Sequence, residues 1–116
     1  MSAGERMRRV DTAVRQVVGD TVAQDLKDPR VGFVTVTDVK TSPDLRHARV
    51  YVSVLGTADE QEASLQGLRS AHGFLQRRVA AELRLKHTPE LDFVLDDTAE
   101  KAFRLEALLE STEDER

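Results

Sequence analysis

Apolar residues recur every three or four positions along the first quarter of the chain. They are Met7, Val10, Val14, Val17, Val18, Val22 and Leu26. This spacing places them on one stripe of a helix from Arg6 to Leu26, with charged and polar side chains on the other side. Because the residue before a proline avoids helical angles, we expect the helix to end before Pro29.

Three later segments have the pattern of β-strands. Residues 33–39 are dense in valine and threonine, which fit a pleated surface, and His47–Val54 alternates between apolar and polar positions. The connection between these two segments is short, so we expect an antiparallel hairpin with one buried face. A third alternating segment, residues 91–96, predicts another strand.

Two helices are predicted between the second and third strands. Thr57 and Glu60 have the spacing of a capping box, so the first helix begins near Ala58. We expect it to end at a corner where Gly73 adopts the left-handed conformation, with the next helix beginning at Phe74. In that helix an apolar stripe faces the core, which turns Arg77 and Arg84 to solvent; the stripe is Leu75, Val79 and Leu83.

The order of elements is helix, strand, strand, helix, helix, strand, and Asp97 and Thr98 can cap an optional short last helix. This order predicts an α+β domain with the helices packed on one face of a three-stranded sheet. We expect residues 1–110 to form the domain and residues 111–116 to form an acidic, disordered tail.

The net charge of −4 hides an asymmetry along the chain. Residues 1–87 contain 14 basic and 11 acidic side chains, a net charge of +3, whereas residues 88–116 contain 3 and 10, a net charge of −7. Attraction depends on the local potential within a Debye length of about 8 Å, so a mildly basic body with an acidic end is compatible with RNA binding.

The basic residues concentrate around the predicted corner. Only Glu82 is acidic between Leu68 and Lys86, and a helix N-terminus at the corner attracts phosphate. The N-terminal arginines supply a second basic patch. The candidate RNA-binding residues are Arg6, Arg8, Arg9, Arg69, Ala71, His72, Gly73, Arg77, Arg78, Arg84 and Lys86. The alternative is an ordinary helical corner with a solvated basic face, and a histidine without a role.

Other classes of function find no support in the sequence. There is no cysteine, and the histidines at 47, 72 and 87 have no partner at metal-ligand spacing. No phosphate-binding loop, dinucleotide fingerprint or nucleophile elbow occurs. No apolar run has the length of a signal peptide core or a membrane span. We therefore expect a cytoplasmic, non-enzymatic protein without cofactor, metal or membrane contact.

Four segments in this order resemble the ribosome-binding factor A family over roughly residues 5–110. They are KDPRVG at 27–32, VTVTDV at 34–39, ARVYVSV at 48–54 after Asp44-Leu45, and RLKHTPELDF at 84–93. The resemblance implies a KH-like domain of type II topology. In ordinary KH domains a Gly-x-x-Gly loop holds the nucleic-acid backbone. The family has an Ala-x-Gly kink there instead, which Ala71-His72-Gly73 matches.

The resemblance also implies the function. Members bind the free small (30S) ribosomal subunit, contact 16S rRNA near the decoding region and neck, and support late maturation, including 5′-end processing, with most importance in the cold. They are not nucleases. We expect a monomer that works in the same way. Two alternatives remain: a KH-like module for another RNA, and a protein-interaction adaptor that uses the hairpin edge or the acidic tail.

Overall fold

The computed structural model describes residues 2–114, without the side chains of residues 3, 99, 100 and 111–114. Helices and strands follow the predicted order. The elements are α1 (Ala3–Gln24), β1 (Val34–Thr41), β2 (His47–Val54), α2 (Ala58–Ser70), α3 (His72–Leu83), β3 (Glu90–Leu95) and α4 (Thr98–Asp114). The predicted α+β class and the order α-β-β-α-α-β are confirmed, and the optional last helix is present.

The long first helix begins and ends earlier than its apolar stripe. The Ser2 hydroxyl accepts a hydrogen bond from the Glu5 N–H at 3.2 Å and so caps the first turn. At the other end the Asp25 N–H bonds the Thr21 carbonyl, and the helix stops at Gln24 rather than at Leu26. The stripe itself is correct, because Val14 and other valines of α1 are buried.

The sheet has the strand order β1-β2-β3, with β1 and β2 antiparallel and β2 and β3 parallel. Strand β2 has the predicted bounds. Strand β1 starts one residue late, since Phe33 lies before it with 80% of its surface exposed, and it extends to Thr41. The pairing of β1 with β2 shifts register between Val36 and Asp38, which makes Thr37 a bulge.

Helices α1, α2 and α3 cover one face of the sheet. The side chains that β2 and β3 turn to this face are almost completely buried; they are Ala48, Val50, Val52, Leu91 and Phe93. The opposite face of β2 and β3 carries mainly exposed polar residues, with Tyr51 half-buried among them. The domain therefore has one covered and one open sheet face.

A close backbone approach fixes the loop between α1 and β1 against α2. A Cβ atom on Gly67 would lie 2.6 Å from Cγ2 of Val31. The Ser64 hydroxyl accepts a hydrogen bond from the Gly32 N–H at 3.1 Å. The sequence KDPRVG thus forms a loop that is tied to the middle of α2.

The corner between α2 and α3 differs from the prediction. The capping box at Thr57 and Glu60 is confirmed, but the residue between the helices is Ala71, with φ −87° and ψ 7°, and α3 begins at His72. Gly73 lies in the first turn of α3, and Gly56 is the only glycine with positive φ among residues 2–114. The prediction of a left-handed hinge at Gly73 is wrong, because one non-helical residue joins the two helices.

The left-handed residue lies at the other end of α3. Arg84 follows the last helical residue, Leu83, with φ 51° and ψ 38°, and its N–H bonds the Ala80 carbonyl at 3.2 Å. Arg84 is therefore the helix cap rather than a member of the helical stripe that the sequence predicts. Its side chain is exposed, as expected, but its direction is set by the cap.

Helix α4 is longer than the short helix expected from the sequence. Its large apolar side chains stay exposed: Phe103, Leu105, Leu108 and Leu109. The predicted acidic tail, residues 111–116, overlaps its last turn, and residues 115–116 lie outside the described part of the chain. The division into a domain of residues 1–110 and a disordered tail stays a prediction.

Candidate nucleic-acid interface

Helix α3 lies antiparallel to α1, which brings two of the predicted basic regions onto one side of the molecule. In the middle of α3, Nη1 of Arg78 lies 2.9 Å from Oδ2 of Asp25, just after the end of α1. Near the end of α3, Leu83 and Leu85 share a groove of about 430 Å³ with Arg9 of α1. The solvent side of α3 therefore extends from the corner to the N-terminal arginines.

Arg77 occupies the middle of this side. Three of its exposed neighbours on α3 are small, namely Gly73, Ala80 and Ala81, and the fourth is Phe74, with 36% of its surface exposed. Nη1 of Arg77 lies 3.3 Å from the position that a Cβ on Gly73 would take, so the guanidinium reaches back over the first turn of the helix. The small residues leave a polyanion backbone room to approach the Arg77 guanidinium.

The N-terminus of α3 is not neutralised by its own sequence. Ala71 has no side-chain acceptor to cap it, and the first turn contains no acidic residue. The first N–H groups of a helix lack intrahelical partners and carry partial positive charge, which favours anions. His72, at the first helical position, is half-buried beside these groups.

We define the α3 basic ridge as the exposed cations along this side of the molecule: Arg8, Arg9, Arg77, Arg84 and Lys86. Among the side chains that the structure describes, the ion pairs join Arg30 to Asp28, Arg78 to Asp25, and Lys101 to Asp97. No member of the ridge takes part in one of these pairs, so its charges are available to a ligand.

Three candidates from the sequence do not belong to the ridge. Arg78 is held by Asp25 and lies 5.3 Å from the ring centroid of Phe74, a cation–π distance. Arg69 donates a hydrogen bond from Nη2 to the Phe93 carbonyl at 3.4 Å, which directs it towards β3. Arg6 is exposed on the first turns of α1 but lines neither of the two concavities that Arg9 lines. Arg78 and Arg69 have structural contacts that the sequence did not reveal.

Lys27 is a basic residue that the sequence analysis did not select. Asp25 on one side of it contacts α3, and the Cγ atom of Asp28 on the other lies 3.5 Å from the position that a Cβ on Gly67 would take. Exposed Lys27 is therefore near the α2–α3 corner. The KDPRVG segment marked it, but only as part of the family resemblance.

Arg30, in the same loop, is neutralised by its neighbour. Two hydrogen bonds from the guanidinium and one from the Arg30 N–H reach the Asp28 carboxylate, with Nη2 and Oδ2 separated by 2.7 Å. These bonds stabilise the charged carboxylate and lower the pKa of Asp28 to about 2. The loop therefore contributes one free cation, Lys27, rather than two.

Other kinds of site are absent from the part of the chain that the structure describes. Among the side chains that the structure describes, no cluster of three or more is suited to holding a metal ion. None of the helices within residues 2–114 is both long and apolar enough to span a bilayer.

The family model for ribosome-binding factor A matches residues 6–109. The chain belongs to the ribosome-binding factor A family. The ribosome-binding factor A of Thermomicrobium roseum is 44% identical over 111 residues, which cover 96% of this chain and 86% of the relative. That of an Anaeromyxobacter species is 48% identical over 110 residues, covering 94% and 90%. The family predicted from the four sequence segments is thus confirmed.

Solved structures of ribosome-binding factor A share the fold. The crystal structure from Thermus thermophilus has a TM-score of 0.68 at 26% identity, covering 77% of this chain and 94% of the relative. A Thermus thermophilus homology model fitted into the cryo-EM map of a complex of the 30S subunit with ribosome-binding factor A has a TM-score of 0.63 at 27% identity. It covers 74% of this chain and 90% of the relative.

Proposed function

We propose that this member of the family binds the free small ribosomal subunit during its late maturation and contacts 16S rRNA through the α3 basic ridge. The observation that carries the proposal is the exposed Arg77 beside an uncapped helix N-terminus, with no acidic residue in that turn. The Thermus thermophilus relative fitted into a map of a 30S complex supports the choice of partner.

The ridge acts by neutralising phosphates. Each phosphate that a cation neutralises changes the slope of log affinity against log salt by about 0.7 to 0.9. The N–H groups at the start of α3 add uncharged donors to the same backbone, next to His72 and Gly73. Because α1 and α3 pack together in the buried core, with Arg78 and Asp25 paired at their edge, the cations keep their spacing when RNA binds.

The proposed role is binding without catalysis. A monomer docked on the subunit stabilises one late conformation of the rRNA, and that conformation permits processing of the 5′ end of 16S rRNA in the cytoplasm. RNA secondary structure is more stable in the cold, so an assembly factor that selects one conformation has its largest effect there.

Cosedimentation with purified small subunits tests the proposal. In one variant, Arg77→Glu and Lys86→Glu reverse two charges of the ridge. In the control, Lys101→Glu and Arg104→Glu make the same change in net charge on exposed residues of α4. We expect the ridge variant to lose most of its binding and to show a flatter salt slope, while the control binds like the parent protein.

Equal binding by the two variants would place the interface elsewhere. A wild-type pull-down dominated by an RNA other than small-subunit rRNA would favour a KH-like module with a different target. Binding that survives nuclease treatment and high salt would favour a protein-interaction adaptor.

A further inference from the structure

The open face of the sheet carries a single aromatic side chain at its centre. Tyr51 lies on the middle strand, β2, and is half-buried, whereas its neighbours on the same face, Arg49 and Ser53, are exposed. Tyr51 lines two concavities, of about 370 and 230 Å³, so its side chain has open space on more than one side.

A row of charged side chains crosses the sheet next to this ring. Lys40, Arg49 and Asp92 are register partners on β1, β2 and β3, and all three line the larger concavity together with His47 and Tyr51. Arg49 hydrogen-bonds to the Tyr51 side chain, which is the main reason that the pKa of Arg49 is raised. Arg49 and Tyr51 are thus neighbours on the open face.

These groups match the parts of a nucleotide. A tyrosine ring offers a stacking surface to a base, two cations attract a phosphate, and a carboxylate accepts a hydrogen bond from a ribose hydroxyl or an exocyclic amine. Inorganic phosphate alone would not use the ring, and an acidic peptide has no base to stack on it. Sheets that bind RNA on an open face use exposed aromatic rings in this way.

We propose that the open sheet face around Tyr51, Lys40 and Arg49 binds a nucleotide of single-stranded RNA, separately from the α3 basic ridge. Helices α1 to α3 lie on the opposite face, so the two surfaces point in different directions. The protein would then lie between two RNA segments and hold them at a fixed separation. This inference depends on the proposed function only in taking RNA as the partner.

Tyr51 makes the test direct, because it is the only tyrosine in a chain without tryptophan. Tyrosine fluorescence therefore reports on this position alone. Titration with hexaadenylate should quench the emission to saturation, while polyphosphate of equal charge should not. The ridge variant with Arg77→Glu and Lys86→Glu should show the same quenching as the parent protein. Quenching in the ridge variant depends on the open face alone, so this measurement can fail or succeed independently of the proposed function of the ridge.

Variants supply the second measurement, by fluorescence anisotropy of labelled hexaadenylate in the ridge-variant background. Tyr51→Leu should weaken binding on the order of tenfold, the usual effect of removing a stacked ring, whereas Tyr51→Phe should retain most of it. Ser53→Ala, on the same face, is the control. If Tyr51→Leu does not fold, Lys40→Glu tests the same site through the phosphate contact.

Two results would overturn the inference. One is the absence of tyrosine quenching at concentrations where the parent protein binds the oligonucleotide. The other is equal quenching by hexaglutamate, which would assign the face to an acidic protein partner.

Discussion

Arg77 and Arg78 are adjacent in the chain but do opposite things: Arg77 faces solvent, and Arg78 lies 2.9 Å from the Asp25 carboxylate. We therefore expect Arg77→Gln to reduce the salt slope of subunit binding by about 0.7 to 0.9 with little loss of stability. Arg78→Gln should lower the free energy of unfolding by about 1 kcal/mol, since it removes an exposed ion pair and a cation–π contact. Salt titrations and urea denaturation measure the two effects.

The pair of variants is its own control, because both remove one positive charge from the same helix. If the two substitutions changed the salt slope equally, net charge rather than the position of Arg77 would govern binding. If Arg78→Gln left stability unchanged, its contact with Asp25 would have no energetic role.

Local patterns in the sequence predicted the elements that depend on local physics. Strict alternation over eight residues determined both ends of β2, and the Thr57 and Glu60 pair located the start of α2. The bounds of β1 depend on distant residues instead. Its last residue, Thr41, donates its backbone N–H to the Asp11 carboxylate of α1 at 2.8 Å, and no pattern within β1 indicates that contact.

The candidate site was only partly predictable for the same reason. Helical periodicity correctly predicted that the Arg77 side chain is exposed. It did not show that Asp25 neutralises Arg78, because 53 positions separate the two residues. Glycine is the usual left-handed residue, so Gly73 was the natural choice for the corner. The structure places that conformation at Arg84, where the end of α3 requires it.

Substitutions at Gly73 and Arg84 test whether the left-handed conformation lies at Arg84 rather than at Gly73. Gly73→Ala should leave stability unchanged or raise it by up to about 1 kcal/mol, because alanine is the better helix former. The atom that a new Cβ would meet is the flexible end of Arg77, at 3.3 Å. Arg84→Gly should also stabilise, by about 1 kcal/mol, since glycine adopts positive φ without a Cβ clash. Thermal and urea unfolding give both values.

Arg84→Gly further separates folding from binding. It should weaken subunit binding while the protein becomes more stable, which a purely structural role for Arg84 would not produce. Marked destabilisation by Gly73→Ala would instead mean that the corner between α2 and α3 requires glycine at position 73.

Because Gly67 lies close to Val31, we expect Gly67→Ala to lower stability, whereas Gly73→Ala should not. Gly67→Ala places a Cβ 2.6 Å from Cγ2 of Val31, and the resulting overpacking should cost about 1 to 3 kcal/mol, more than the gain in helix propensity of about 1 kcal/mol. In the control, Gly19→Ala on α1, nothing lies within 4 Å of the new Cβ, so that change should stabilise the protein.

Combining Gly67→Ala with Val31→Ala should restore part of the lost stability, because Val31→Ala removes Cγ2, the atom that the new Cβ would meet. Additive destabilisation in the double variant would show that the loop is not held at α2 by this approach. Urea denaturation of the two single variants and the double variant completes the cycle.

The bulge in β1 predicts a dependence of stability on pH. The Thr37 hydroxyl donates a hydrogen bond to the Asp96 carboxylate at 2.6 Å, and Thr98 also bonds to it; together they lower the pKa of Asp96 to about 2. An unfolded aspartate has a pKa of about 3.9, so this interaction contributes stability above pH 4 that is lost as the pH falls towards 2.

Asp96→Asn should therefore reduce the loss of unfolding free energy between pH 5 and pH 3, because the amide cannot titrate. Its single oxygen can accept only one of the two hydrogen bonds that Thr37 and Thr98 donate to different carboxylate oxygens, so the variant should also be less stable than the parent protein at pH 7. Thr37→Val should act in the same direction by returning the pKa of Asp96 towards its usual range. Glu106→Gln, which removes an exposed carboxylate on α4, is the control and should leave the pH dependence nearly unchanged. If Asp96→Asn and Glu106→Gln gave the same profile as the parent protein, the connection between the bulge and the start of α4 would not stabilise the fold.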